Sequence, residues 1–389
     1  MKLEPDVFLK RQGIKRLLKA LGAKEGTARF VGGAVRDMLL DVPHDDLDLA
    51  TTLRPADVIR RLEETGIKAV PTGIEHGTIT AVSSGTVVEV TTLRSDVSTD
   101  GRRATVAFTD DWKQDAGRRD FTINAIYADP YSGELFDYFG GLDDLQSRTV
   151  RFIGEPLQRI AEDHLRILRY FRFHARYGHG EPDAHALQAC TERANDLMAL
   201  SRERIADELL KLLALADPTP TVRLMRERGI FAPVVPELAD VDRLAALVAT
   251  ERAAGIDPDP LRRMAALLPA DPETAGKVAA RLKLSNKARK RLASAADPAP
   301  GLNPRSLAYR IGTEGAVDRL LLSERPADAS EIARWAPPRL PIGGGDLIAR
   351  GVTQGPEVAR VLRRIEDEWE AAGFTSGAEF ERLVDRALG

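Results

Sequence analysis

Apolar positions in the first 25 residues (Val7, Leu9, Ile14, Leu17, Leu18 and Leu21) recur at helical spacing and predict one amphipathic helix. From Ala28 to about Phe139 the pattern changes to β-branched runs. Residues 28–31, 47–51, 78–82, 86–91 and 123–128 predict strands. Residues 55–64 predict a helix starting at Pro55, whose fixed φ suits a first helical turn. Strand texture ends near residue 152. Beyond Pro156 the chain reads as helical: residues 157–177, 183–197 and 201–216 carry apolar side chains at i, i+3 and i+4, and Pro218 and Pro220 punctuate the last of these. Shorter helices follow, and Pro/Gly-rich stretches at 298–304 and 337–345 mark joints. The pattern predicts an α/β head with a mixed sheet, followed by an all-helical remainder.

Composition narrows this picture. At 389 residues the chain exceeds one small domain, and two to four units are expected. Hydrophobic content of 43% with 30% charged residues describes a soluble globular protein with ample core. No apolar run is long enough to span a membrane, and residues 1–24 lack the apolar core of a secretory signal. The single cysteine, Cys190, excludes an internal disulfide and cysteine-based zinc sites, suits a cytoplasmic location, and reads as a core residue. All six histidines precede residue 186, so the C-terminal half has no histidine-based metal centre. The net charge of −3 does not announce nucleic-acid binding, but its distribution is uneven. From Arg281 to Arg310 there are eight basic residues against one acid, Asp297. That segment, with Lys287, Arg289, Lys290 and Arg291 at its centre, could follow a phosphate backbone or form a solvated helix face.

Candidate chemistry concentrates in the head. Gly32-Gly33 reads as a tight backbone turn able to approach a phosphate, with Arg36 one helical turn on. Asp46 and Asp48 stand at i and i+2 in a strand-like run, so both carboxylates would point to one face, about 7 Å apart at the backbone. A divalent cation resolves their repulsion, and Mg²⁺ fits a site of carboxylate and phosphate oxygens. Glu89, in another strand, is either a third carboxylate able to accept a proton or an exposed face position. The arginine pair Arg118-Arg119 suits triphosphate oxygens, which guanidinium forks grip bidentately. Asp163, Arg166, Arg169 and Phe173 step by three or four along a predicted helix and share one face. Such a carboxylate and guanidinium could read a base edge together, or form an intrahelical salt bridge in solvent. A dinucleotide-binding head is excluded by the absence of G-x-G-x-x-G.

Taken in order, seven runs resemble the class II tRNA nucleotidyltransferase / poly(A) polymerase family. They are Gly32-Gly33-x-Val35-Arg36-Asp37, Asp46-x-Asp48, Glu89-Val90-Thr91-Thr92-x-Arg94, Arg118-Arg119-Asp120-Phe121-Thr122-x-Asn124-Ala125, Gly140-Gly141-x-x-Asp144-Leu145, Glu162-Asp163-x-x-Arg166-x-x-Arg169 and Ser201-x-Glu203-Arg204-Ile205-x-x-Glu208. The resemblance covers roughly residues 28–212. It implies a nucleotidyltransferase palm of the polymerase-beta type at 1–150, a helical neck at 151–217, a body at 218–300 and a tail at 301–389. It also implies a Mg²⁺ site at Asp46 and Asp48 completed by Glu89, and triphosphate contacts from Gly32, Gly33, Arg36 and Arg119. Asp120 and Asn124 would lie near the ribose. Asp163 and Arg166 would template the incoming base, supported by Arg169 and Arg172. Lys287, Arg289, Lys290 and Arg291 would contact RNA.

The implied reaction is attack of a tRNA 3′-hydroxyl on the α-phosphate of CTP or ATP. Arg94-Ser95-Asp96 followed by Arg102-Arg103 forms a basic–acidic–basic segment that, by the resemblance, favours CCA or A addition over CC addition. The acidic or mixed C-terminus around 366–368 and 379–381 favours a tRNA enzyme over a poly(A) polymerase. An A-adding enzyme, a poly(A) polymerase and an inactive RNA-binding relative are the alternatives. No obligate protein partner is evident.

Overall fold

Two glycines break the N-terminal pattern that predicted a single helix. Helices Asp6–Leu9 and Ile14–Ala20 meet at Gly13, whose φ is 80°, and a 3₁₀ turn, Ala23–Glu25, follows Gly22. Gly13 also lies against another strand: a Cβ there would stand 2.4 Å from the Ser83 carbonyl oxygen, while Ser83 Oγ donates to the Gly13 carbonyl at 2.9 Å. The apolar stripe survives the break, with Ile14, Leu17 and Leu18 buried.

The computed structural model describes residues 3–4, 6–43, 47–100, 103–297, 301, 303–353 and 355–388. It divides into two units, residues 1–209 with 224–234, and residues 210–223 with 235–389. In the first unit, the described strands are β1 (Ala28–Val31), β2 (Asp48–Thr51), β3 (Lys68–Gly73), β4 (Thr78–Ser83), β5 (Thr86–Thr92), β6 (Arg94–Asp100), β7 (Arg103–Phe108), β8 (Ile126–Ala128) and β9 (Leu135–Asp137). Seven of them form one sheet in the order β3-β4-β5-β2-β1-β8-β9, and β6 pairs only with β7. The sheet is mixed, as the pattern predicted: β2 and β5 are parallel, the other pairs antiparallel. The β2–β5 register sets Asp48 beside Glu89. Helix Pro55–Glu64 has its predicted bounds. Val31, Ala50, Leu93, Ala116, Ala125 and Tyr127 gather into one buried cluster.

Three further expectations change. The helix predicted over 183–197 ends at Glu192, and a 3₁₀ turn, Ala194–Ala199, follows it. The strand predicted from residue 123 begins at Ile126, because a 3₁₀ turn, Thr122–Asn124, carries the chain instead. The helix predicted over 157–177 is two helices, Pro156–Glu162 and Arg166–Tyr177, with Asp163 extended between them at φ −150° and ψ 105°. Asp163 competes locally with the helix: its Oδ1 accepts from the Leu165 amide at 3.1 Å and its carbonyl accepts from the Arg166 amide at 3.0 Å. Asp163 and Arg166 therefore do not share one helix face.

The second unit is helical among its described residues, and its helix starts follow from sequence. Asp240, Asp259, Asp271, Ser285 and Asn303 each cap the helix that follows them by accepting from its first amides. Each such cap stabilises a helix by about 1 kcal/mol. Proline opens the helices after Asp259, Asp271 and Asn303. Near the C-terminus, Ile365, Trp369, Phe380, Leu383 and Val384 form one apolar cluster. Elsewhere in the unit Glu251, Arg262, Arg263 and Asp318 are buried and mutually paired at 2.6–2.9 Å. Of the two joints, 337–345 separates helices Pro326–Ala333 and Gly344–Ala349, while residues 298–300 and 302 of the other lie outside the described residues.

Candidate active site

Gly32 ends β1 and opens helix Gly33–Leu39 with φ 68° and ψ −128°, a conformation that only glycine adopts readily. A Cβ there would stand 3.4 Å from Arg119 Nη1, so the turn brings backbone close to a guanidinium. Arg36, one turn into that helix, is buried. Its Nε donates to Asp37 at 2.8 Å, Nη1 to Asn124 Oδ1, and Nη2 to the Tyr177 hydroxyl oxygen at 2.5 Å.

The arginine pair is held from helix Trp112–Gly117. Asp115 on that helix, almost fully buried, accepts from Arg118 Nε at 2.8 Å, Arg119 Nη2 at 3.3 Å and the Tyr127 hydroxyl at 2.7 Å. Burial pushes the Asp115 carboxyl up. The Arg119 and Arg118 charges and the Tyr127 hydrogen bond outweigh burial and leave it below the usual carboxylate range. Burial pushes the Tyr127 phenol up, so it remains a donor.

A second chain of contacts runs from Asn124 into the helices. Asp120 Oδ1 accepts from Asn124 Nδ2 at 2.8 Å, and its Oδ2 accepts from Arg169 Nε at 2.8 Å. Burial raises the Asp120 carboxyl, yet Arg169 and Asn124 together hold it low. Arg172 Nε donates to the buried Glu208 at 2.6 Å, and Arg169 stands 3.8 Å from the same carboxylate. Asp163 and Arg166 are braced separately: Arg204 Nη2 donates to Asp163 at 2.8 Å, and Arg166 Nη1 to Glu162 at 2.6 Å.

These elements line an open cavity of about 690 Å³. Of the expected site residues it gathers Gly32, Gly33, Arg36, Asp48, Arg119, Asp120, Asn124, Asp163, Arg166, Arg169 and Arg172; Arg94, Arg118 and Phe173 also line it. Seven arginines against three aspartates make the lining strongly cationic, which suits a polyphosphate. Asp46 and Arg102 lie outside the described residues. Glu89 is exposed and does not line the cavity, though its β5 position is in register with Asp48 on β2. Among the described residues no group of three or more metal-ligating side chains occurs. Asp48 and Glu89, two hard oxygen donors on adjacent parallel strands about 4.8 Å apart at the backbone, nonetheless suit Mg²⁺.

In the second unit Lys287, Arg289 and Lys290 are exposed on helix Asn286–Ala295. Arg291 departs from the expectation of an RNA contact. Its guanidinium is engaged by Asp318 at 2.7 Å, Asp259 at 2.9 Å and Glu314 at 3.1 Å, which makes it a structural cation.

Sequence reading assigned no role to Asp115, Arg159, Tyr177, Arg204 or Glu208. For Asp115 the signal was present, since it precedes the arginine pair by three and four residues. Arg204 and Glu208 stood inside a family run without a stated task, and their partners are about 40 residues away in sequence, beyond any local pattern.

Comparison with known proteins agrees with this architecture. Residues 28–151 match the poly A polymerase head domain, and residues 181–241 match the probable RNA and SrmB- binding site of polymerase A. The mitochondrial CCA tRNA nucleotidyltransferase 1 of Mus musculus is 35% identical over 399 residues, covering 96% of this chain and 90% of the relative. The chain belongs to the class II tRNA nucleotidyltransferase / poly(A) polymerase family. Within that family, the CCA-adding enzyme of Streptococcus gordonii is 42% identical over 217 residues, 55% of this chain and 52% of the relative. A crystal structure of the Bacillus stearothermophilus CCA-adding enzyme in complex with CTP superposes with a TM-score of 0.74 at 27% identity, covering 96% of both chains. This nucleotidyltransferase-family chain is thus similar to CCA-adding enzymes over nearly its whole length, and no described helix is long and apolar enough to cross a membrane.

Proposed function

We propose that the chain adds C, C and A to the 3′ end of tRNA, one nucleotide at a time, from CTP and ATP, with release of pyrophosphate. The observation that carries this reading is a single cavity holding Asp48, the arginine set and the pair Asp163 and Arg166. Similarity to CCA-adding enzymes along almost the full chain supports it.

In this reading the amides of the Gly32-Gly33 turn, with Arg36 and Arg119, bind the triphosphate. Asp120 and Asn124 lie near the ribose while fixing Arg169 and Arg36. Asp48 and Glu89, with Asp46, would hold Mg²⁺, which when bound lowers the pKa of the attacking 3′-hydroxyl and neutralises developing phosphate charge. Glu89 is also the candidate acceptor of the hydroxyl proton.

Base choice follows from hydrogen-bond polarity. Cytosine and adenine each present an exocyclic amine beside a ring-nitrogen acceptor. A carboxylate such as Asp163 accepts from the amine, and a guanidinium such as Arg166 donates to the ring nitrogen. The braces leave capacity for this: a carboxylate offers about four lone-pair sites and a guanidinium five N–H groups. Uracil and guanine set a carbonyl against the carboxylate, and each unpaired polar group costs roughly 1–3 kcal/mol. Arg169 and Arg172, held by Asp120 and Glu208, line the same cavity as the pair. Lys287, Arg289 and Lys290 contact tRNA phosphates. The one buried thiol, Cys190, suits a reducing compartment such as the cytoplasm.

The test offers each nucleoside triphosphate singly to a tRNA transcript ending at the discriminator base. Wild type should incorporate CTP and reject UTP and GTP, and Asp163→Ala should narrow that preference by roughly tenfold or more. Equal use of CTP and UTP by wild type would refute base reading at this site.

A further inference from the structure

Arg159 belongs to none of the runs that carry the family resemblance, and its side chain is only 10% exposed. It lies on helix Pro156–Glu162, one turn before Glu162. Its Nη1 donates to Glu162 Oε2 at 2.5 Å, and its Nη2 donates to the backbone carbonyls of Arg118 at 2.6 Å and Arg119 at 2.7 Å. Those carbonyls end helix Trp112–Gly117, where helix geometry leaves acceptors without partners and a cation is favourable. Arg166 uses the same anchors: its Nη1 donates to Glu162 Oε2 at 2.6 Å and to the Arg159 carbonyl at 2.8 Å, and its Nη2 reaches the Arg118 carbonyl at 3.3 Å.

We propose that Arg159 is a positioning residue that locks the base-facing Arg166 to the phosphate-facing pair Arg118-Arg119, so that base choice and triphosphate grip share one rigid frame. One carboxylate oxygen and one carbonyl oxygen are each shared by two guanidinium groups, so neither arginine can shift without loosening the other. Asp115 fixes the side chains of Arg118 and Arg119, and Arg159 fixes their backbone. Without Arg159, Glu162 loses one of its two arginines, the Arg119 carbonyl loses this donor, and Arg166 is freed to adopt other rotamers.

This inference rests on the proposed reading of Arg166 as a base-selecting group. Its test is a double-mutant cycle in the full-length protein with Arg159→Met, Arg166→Met and both together. Each protein is scored by the ratio of kcat/KM for CTP to that for UTP on a tRNA transcript ending at the discriminator base. Arg159→Met is expected to lower the ratio about tenfold or more and to raise KM for CTP. The double variant is expected to fall no further than Arg166→Met alone, because one change acts through the other. Should Arg159→Met fail to fold, Arg159→Lys carries the same test, since one ammonium cannot span the three acceptors in the same fork. An unchanged ratio in a folded Arg159 variant, or losses that multiply in the double variant, would overturn the coupling while leaving base reading intact. A wild-type ratio near one would instead overturn the underlying reading, and the coupling with it.

Discussion

Asp120 shows how one buried carboxylate serves both stability and the site. It joins Asn124 to Arg169, and through Asn124 it reaches Arg36. Its pKa lies below the ordinary aspartate value of 3.8, because Arg169 and Asn124 outweigh the upward push of burial. A depressed folded pKa contributes stability that is present above the unfolded value and is lost as the pH falls through the folded one. Asp120→Asn is therefore expected to lower the denaturant midpoint at neutral pH. The gap to wild type should be constant above about pH 5 and should shrink in acid. Midpoints measured along a pH series check this, and a gap indifferent to acid would contradict it. Chain separation decided which residues of this network were legible. Asp120 and Asn124 fall within one short run, whereas Glu208, which closes the network beyond Arg172, lies 36 residues from that arginine and shows its role only when the helices pack.

Among the elements, turn chemistry decided what patterning could show. Helix Pro55–Glu64 was readable from end to end, since Pro55 starts it and its apolar face is continuous. Strands β4 and β5 were readable because they alternate over six and seven residues. Three kinds of strand were not predicted: β3, whose residues are half-buried or exposed, the polar hairpin β6–β7, and the three-residue β9. β9 is too short, β3 carries a proline and no apolar alternation, and β6 has one apolar residue, Val97; only β7 alternates, at Ala104, Val106 and Phe108, and that signal was missed. The break at Asp163 was hidden for another reason: apolar spacing continues through it, and only side-chain competition for backbone amides ends the helix. Gly32 gives the test at this scale. Gly32→Ala forces a Cβ into a conformation that disfavours one, at a cost of about 1–3 kcal/mol, and directs it toward Arg119. The expected result is a raised KM for CTP with secondary structure retained by circular dichroism, and an unchanged KM would show that the turn is not part of the triphosphate site.

At the scale of the whole molecule, charge is sorted by use rather than by sum. The cavity collects arginines in the first unit, and the second unit divides its cations between burial and surface. Arg262, Arg263 and Arg291 are tied to Glu251, Asp259 and Asp318, while Lys287, Arg289 and Lys290 remain exposed. A run of basic residues in sequence could not separate these two fates, because Arg291 finds its acids on other helices. Replacing Lys287, Arg289 and Lys290 with Gln should weaken tRNA binding and flatten its dependence on salt, as expected when phosphate contacts are lost. Binding isotherms at several salt concentrations measure this, and an unchanged slope would remove the patch from the RNA interface. The account stands most directly on what the protein adds to an RNA end. Transcripts of one tRNA ending at the discriminator base, at C and at CC, incubated with Mg²⁺, CTP and ATP and resolved at single-nucleotide resolution, give that answer. Completion of each transcript to CCA followed by a stop is the predicted result. An open-ended ladder of A, addition of A to the CC-ended transcript alone, or no extension of a tRNA that still binds would contradict it.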